Sequence, residues 1–210
     1  MLPLRHRVKA ASVANLTDAR YFAAMGVHYL GFELRPGVPG AVSAHVLEAL
    51  RAWVSGPLIV GELAGTSPET LANLARELQL DAVEVGPDDD VRTVKDVTQL
   101  PVLQRLAPWT GDPALLARAA PVGELVEAFV LPLPEHSLEA SAADWKSLRS
   151  FCEQYPVLLE VPGDASSSAN LAQRVEALGL QVRGGEEEAV GVKSFDELDE
   201  LFEALAEPEY

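Results

Sequence analysis

The sequence predicts an α/β fold, a single (β/α)8 (TIM) barrel of eight parallel strands spanning residues 1–210. Three observations carry that prediction. Short apolar, β-rich runs alternate with longer amphipathic ones eight times over, the pattern of parallel strands joined by right-handed helical crossovers. The length of 210 residues suits one barrel domain. No glycine-rich fingerprint follows the first strand, which weighs against the alternative, a doubly wound open sheet.

The strands read in order as RVKAAS (7–12), YLGFEL (29–34), PLIVGEL (57–63), DAVEVG (81–86), PVLQRLA (101–107), EAFVLPL (127–133), PVLLEVPG (156–163) and LQVRGG (180–185). The first helix, LTDARYFAAMG, has Asn15 or Thr17 as its N-cap and stops at Gly26. The second, SAHVLEALRAWVSG, begins at Ser43 and runs to Gly56. In the third, Ser67 caps and Pro68 takes the first helical position, where its missing N–H costs nothing. VRTVKDVTQ follows, opened by the acidic run DDDVR, where carboxylates suit the helix dipole. DPALLARAAPVGELV is interrupted by Pro121. SAADWKSLRSFCEQY, SSSANLAQRVEALG and the amphipathic SFDELDELFEAL complete the set, and AEPEY (206–210) is expected to fray.

Composition narrows the function classes. With 16 basic against 32 acidic residues the net charge is −16, which argues against nucleic acid and anionic membrane surfaces as partners. No apolar run is long enough for a membrane span, and the N-terminus lacks the apolar segment and cleavage site of a signal peptide. A cytoplasmic protein is therefore expected, monomer or homodimer; the last helix is expected to pack on the core, with a dimer face as its alternative use. The lone Cys152 excludes an intrachain disulfide and reads as a buried structural thiol. His6, His28, His45 and His136 are scattered without metal-ligand spacing, so neither metal nor cofactor is expected. Trp53, Trp109 and Trp145 read as packing residues.

Strand alternation assigns faces. Lys9, Ala11, Gly31, Glu33, Arg35, Ala82, Glu84, Leu158, Glu160, Gln181 and Arg183 share the lumen side, and Glu62 and Arg105 join them if their phase holds. Phe32, Leu34, Val83, Val85, Phe129, Leu131, Leu159 and Val161 face the helices. The barrel mouth then gathers Lys9, Arg35, Arg105 and Arg183 against Glu33, Glu62, Glu84 and Glu160. Charges in that setting must pair, because an isolated buried ion costs several kcal/mol. One reading is a self-satisfied lattice that fills the mouth. Another is a rebuilt polar site for a small anionic or zwitterionic ligand held by Lys9, Arg35, Arg105, Glu160 and Arg183. A third is new proton transfer by one of the glutamates.

The stretch VKAASVANLTDARYFAAMGVHYLGFEL (8–34) resembles the N-terminus of the phosphoribosylanthranilate isomerase family, tryptophan-pathway barrel enzymes that begin Lys-Ile-Cys-Gly. Lys9, Asp18, Ala19, Gly26, Gly31 and Phe32 fall in register. Pro36, Val42 and Ser43, the strand LQLDAVEVGPDD, the pair Asp144–Trp145, and Gly185, Glu187, Gly191 and Lys193 extend the resemblance over nearly the whole chain.

The resemblance implies an Amadori rearrangement of a phosphorylated aminoaldose, with a cysteine of the first loop as base and an aspartate at the end of strand six as acid. In this sequence the cysteine's place falls on Ala11, with Ser12 after it, and the aspartate's on Pro132. Ser12 has no evident partner in the sequence. Residues 128–134 contain no acid; Glu33 and Glu84 are the candidate replacements, and Glu135 could serve only if its loop folded back. The family's anthranilate-binding arginine falls on Gly40, with Arg35 nearest, and its strand-four histidine on Gly86. A phosphate cup of backbone N–H groups would use Gly163, Gly184 and Gly185, with Asp164 and Glu186–Glu188 opposing the anion unless Arg183 or Lys193 compensates. Three functions follow as expectations. One is a diverged barrel without the parent reaction that binds a small metabolite. Another is an active isomerase with a rearranged acid/base pair, and the last is a non-catalytic interaction scaffold.

Overall fold

The computed structural model describes residues 4–134, 142–161, 165–184 and 194–206. Eight strands form a closed barrel in chain order: β1 (Arg7–Ala11), β2 (Tyr29–Glu33), β3 (Leu58–Glu62), β4 (Ala82–Val85), β5 (Val102–Arg105), β6 (Ala128–Pro132), β7 (Val157–Glu160) and β8 (Gly179–Arg183). Every neighbouring pair is parallel, and β1 closes on β8 from Arg7↔Gly179 to Ala11↔Arg183. The connecting helices are α1 (Leu16–Met25), α2 (Ala44–Arg51), α3 (Pro68–Glu77), α4 (Val91–Thr98), α5 (Pro113–Ala119), α6 (Ala142–Gln154) and α7 (Ala165–Arg174), with α8 (Asp196–Leu205) last.

Local chemistry sets the helix ends. Asn15, not Thr17, caps α1 by accepting from the Asp18 N–H at 2.9 Å, and Gly26 ends it in the left-handed region at φ 78°. Ser43, Ser67, Asp90 and Asp112 cap α2 to α5 in the same way. Pro121 limits α5, which passes into a 3-10 turn over Ala120–Val122. Helix α2 stops at Arg51, short of the expected Gly56, so Trp53 lies in the following turn and no longer shares the helix's inward stripe. That corrects its assignment as a packing residue: Trp53 is 68% exposed. Trp109 and Trp145 are buried and pack against each other with centroids 5.2 Å apart. Ala206, assigned to the tail, bridges Leu4, while 207–210 lie outside the described residues.

Two apolar layers result. The larger lies between strands and helices and contains Val8, Phe32, Val83, Phe129, Leu131 and Leu159 among others. The smaller fills the lumen with Tyr29, Val60, Ala82, Leu103, Ala128, Val130 and Leu158. The assigned apolar residues that fall in these layers agree with the division: Ala82 and Leu158 lie in the lumen, and Phe32, Leu34, Val83, Val85, Phe129, Leu131, Leu159 and Val161 lie on the helix side. Below the lumen layer, Arg7 donates to Tyr29 Oη and Glu127 Oε1, each at 2.8 Å. Above it, at the C-terminal ends of the strands, the polar residues collect. Cys152 is buried, and burial beside Glu153 pushes its thiol up to about 12, consistent with an inert packing role. Among the described residues no helix is long and apolar enough to cross a membrane.

Candidate functional site

The barrel mouth is built on the register of three neighbouring strands. Glu33, Glu62 and Glu84 are successive Cα partners across β2, β3 and β4, which sets three carboxylates side by side. Like charges so placed repel unless cations intervene. Arg35 takes Glu33: its Nε donates at 2.9 Å, its Nη2 at 2.5 Å and its backbone N–H at 2.9 Å. Its Nη1 reaches Ala64 O at 3.0 Å, so this pair fastens the loop after β2 to the loop after β3.

Lys9 takes the other two. Its side chain is fully buried, with Nζ 2.5 Å from Glu62 Oε1, 2.8 Å from Glu84 Oε2 and 3.0 Å from Gln181 Oε1. Space for this comes from β2: a Cβ on Gly31 would lie 2.2 Å from Glu62 Oε1 and 2.7 Å from Lys9 Nζ. Burial alone would lower the Lys9 pKa, but the two carboxylates outweigh it and hold the ammonium above its usual value.

The contacts then run on into a closed circuit. Ser12 donates through Oγ to Glu62 Oε2 at 2.8 Å, and Arg183 Nη1 donates to Ser12 Oγ at 3.0 Å. Arg183 Nε donates to Glu160 Oε1 at 3.0 Å, and Arg105 Nη2 donates to Glu160 Oε2. Arg105 Nη1 lies 3.8 Å from Glu84 Oε1, which returns to Lys9. Three cations (Lys9, Arg105, Arg183) face three carboxylates (Glu62, Glu84, Glu160), so the circuit is neutral. It has a dry floor of Lys9, Glu62 and Glu84 and a wetter rim where Arg105, Glu160 and Arg183 are 26%, 22% and 52% exposed.

The three glutamates of the circuit differ. Burial works to raise Glu62, but Lys9 and the Ser12 hydroxyl and N–H outweigh it and hold Glu62 below its ordinary range. Glu160 is likewise held low, because Arg105 and Arg183 outweigh its burial. For Glu84 burial wins over Lys9, the Glu62 charge adds to it, and the pKa rises above the ordinary 4.5. A raised folded-state pKa means the folded chain keeps the Glu84 proton longer than the unfolded chain does. Its contribution to stability therefore falls as pH climbs from 4.5 through the raised value. Wild-type stability minus that of Glu84→Gln is expected to shrink over that window. Urea midpoints at a series of pH values measure it, and a difference that grows with pH would contradict the assignment.

Thus Lys9, Glu84, Glu160 and Arg183 come together, joined by Glu62 and Arg105, whose phase was open in the sequence. Arg35 and Glu33 stand apart as their own pair. Ser12 is corrected: two partners, Glu62 and Arg183, engage it, and it holds φ 51°, a left-handed conformation costly for a non-glycine residue. Nothing in a single sequence reveals those partners, because Ser12 meets residues 50 and 171 positions away. Ala11 ends β1, 2% exposed, opposite Arg183, and Pro132 ends β6 opposite Glu160. Gly40 sits in a left-handed turn and Gly86 donates its N–H to Asp89 Oδ2 at 2.6 Å. Gly184 directly follows β8; Gly163, Gly185, Glu135, Asp164, Glu186–Glu188 and Lys193 lie outside the described residues.

Fold and mouth define a (β/α)8 barrel protein with a polar site at the C-terminal ends of its strands, where enzymes of this architecture do their chemistry. No family model matches the sequence. An N-(5'-phosphoribosyl)anthranilate isomerase of Gloeobacter violaceus is 28% identical over 179 residues, covering 82% of this chain and 79% of that protein. The crystal structure of phosphoribosyl anthranilate isomerase from Thermus thermophilus superposes with a TM-score of 0.73 at 25% identity, covering 95% of this chain and 98% of the other. A phosphoribosyl anthranilate isomerase solved with reduced 1-(o-carboxyphenylamino)-1-deoxyribulose 5-phosphate gives a TM-score of 0.78 at 18% identity, with coverages of 95% and 98%. In sequence and in fold the chain is thus similar to phosphoribosylanthranilate isomerases.

Proposed function

We propose that this chain is a phosphoribosylanthranilate-isomerase-like barrel that does not perform the parent Amadori rearrangement, and that its mouth holds a small anionic or zwitterionic metabolite. The observation that supports the first half is the pair of residues at the ends of β1 and β6. The rearrangement needs one group to protonate the sugar-ring oxygen and another to take the C2′ proton. At the places the family resemblance assigns to them stand Ala11 and Pro132. A methyl group and a pyrrolidine ring exchange no protons. Glu33 is a poor substitute, because Arg35 occupies both of its oxygens. The second half draws support from the rim, where Arg105, Glu160 and Arg183 present both signs of charge to whatever enters.

One observation favours a second reading, an isomerase with a rearranged acid/base pair. Glu84, pushed above its ordinary range at the mouth, is tuned in the direction a general acid requires. Growth of a tryptophan auxotroph lacking this isomerase decides between them. The first reading expects no rescue by this chain at any expression level. Rescue that is abolished by Glu84→Gln would establish the second.

A further inference from the structure

Glu160 sits between two arginines that approach it from opposite sides. Arg105 on β5 binds Oε2 and Arg183 on β8 binds Oε1, so both carboxylate oxygens are taken and the guanidiniums bracket a single oxyanion. This is the donor geometry with which proteins hold carboxylate and phosphate ligands. Here the occupant belongs to the chain itself. Each guanidinium also has more N–H donors than its bonds among the described residues use.

We propose that Glu160 is a built-in occupant of a two-arginine oxyanion clamp, and that a ligand of this barrel docks by placing a phosphate or carboxylate group where the Glu160 carboxylate now lies. The inference rests on the reading of the mouth as a small-molecule site. Three features of the rim support it. Glu160 ends β7 and is 22% exposed, so its displaced carboxylate can turn to water without leaving a buried charge. The floor beneath makes its own ion pairs, Lys9 with Glu62 and Glu84, without calling on Glu160. Without the Glu160 charge the circuit carries three cations against two carboxylates, a local excess of one positive charge in a chain of net charge −16. The tethered carboxylate competes at high effective concentration, so a free monoanion alone displaces it poorly. A successful ligand brings a second negative charge or a second contact.

The test removes the occupant. Glu160→Ala is expected to bind inorganic phosphate or acetate at least about tenfold more tightly than wild type, the scale of one charge-assisted hydrogen bond. Titration calorimetry of the purified full chain reads this, and the two anions separate the sources: phosphate alone points to phosphate esters, acetate alone to carboxylates. Adding Arg105→Gln or Arg183→Gln to Glu160→Ala should abolish the gain. Both arginines are solvent-accessible, so the variant should fold; if it does not, Glu160→Gln removes the charge with little change of shape and carries the same expectation. No gain for either anion, or a gain that survives loss of the arginines, overturns the clamp. The two claims fail separately. A gain in Glu160→Ala with no metabolite stabilising the wild type in a thermal-shift screen would sink the small-molecule reading and leave the clamp. Wild-type stabilisation by a metabolite with no gain in the variant would do the reverse.

Discussion

Replacing Lys9 with methionine is expected to destabilise the barrel by about 3–5 kcal/mol, the cost of breaking a buried ion pair from one side. The reason lies in what remains. Glu62 and Glu84 are buried Cα partners on adjacent strands, and the ammonium at 2.5 and 2.8 Å is what offsets the burial and mutual repulsion of their carboxyl groups. Methionine fills the space of the lysine stem but leaves the two carboxylates facing each other. Without the cation, burial raises both of their pKa values, so the deficit should widen as pH rises. The double variant Lys9→Met/Glu84→Gln should be more stable than Lys9→Met at neutral pH, because one of the two uncompensated charges is gone. Urea midpoints with an unchanged slope measure all three chains. A Lys9→Met chain within about 1 kcal/mol of wild type would show that the floor of the circuit is not held by this charge.

Gly179→Ala is expected to cost roughly 3 kcal/mol or more, the upper end of overpacking penalties. Gly179 opens β8 at the seam where the last strand meets the first, as the Cα partner of Arg7. A Cβ built there falls 1.7 Å from Arg7 O and 2.6 Å from its carbonyl carbon. Those atoms are backbone, so no rotamer change relieves the overlap and β1 must move from β8. The seam also carries the pairing Ala11↔Arg183 at its other end, so the disturbance reaches the mouth. Loss of soluble folded protein or a large fall in melting temperature is the expected result. A variant that melts within a degree or two of wild type would mean the seam has slack that the packing does not suggest.

Most of the barrel was readable because period-two alternation places Lys9, Glu84, Glu160 and Arg183 on one face, and the same alternation fills the other with Val83, Phe129 and Leu159. Glu62 and Arg105 were harder, since Glu62 follows Gly61 and Arg105 follows a glutamine on the helix side, so neither strand shows a clean contrast of faces. Pairing was not readable. That Arg35 serves Glu33 alone, while Lys9 serves two carboxylates, depends on register and on the room Gly31 leaves. Ser12 shows the same limit, because its partners come from β3 and β8 and only barrel closure brings them to one place. Trp53 failed for a local reason: the helix ended sooner than its apolar pattern suggested.

The most direct measurement is turnover of N-(5'-phosphoribosyl)anthranilate by the purified chain, followed to the ketose product. If Ala11 and Pro132 stand where the family resemblance places the two proton-transfer groups, as proposed, conversion should stay at the rate of the buffer alone. It should remain there when Glu33→Gln and Glu84→Gln are compared with wild type. Conversion well above the buffer rate, lost on substituting a residue of the mouth, would contradict the account.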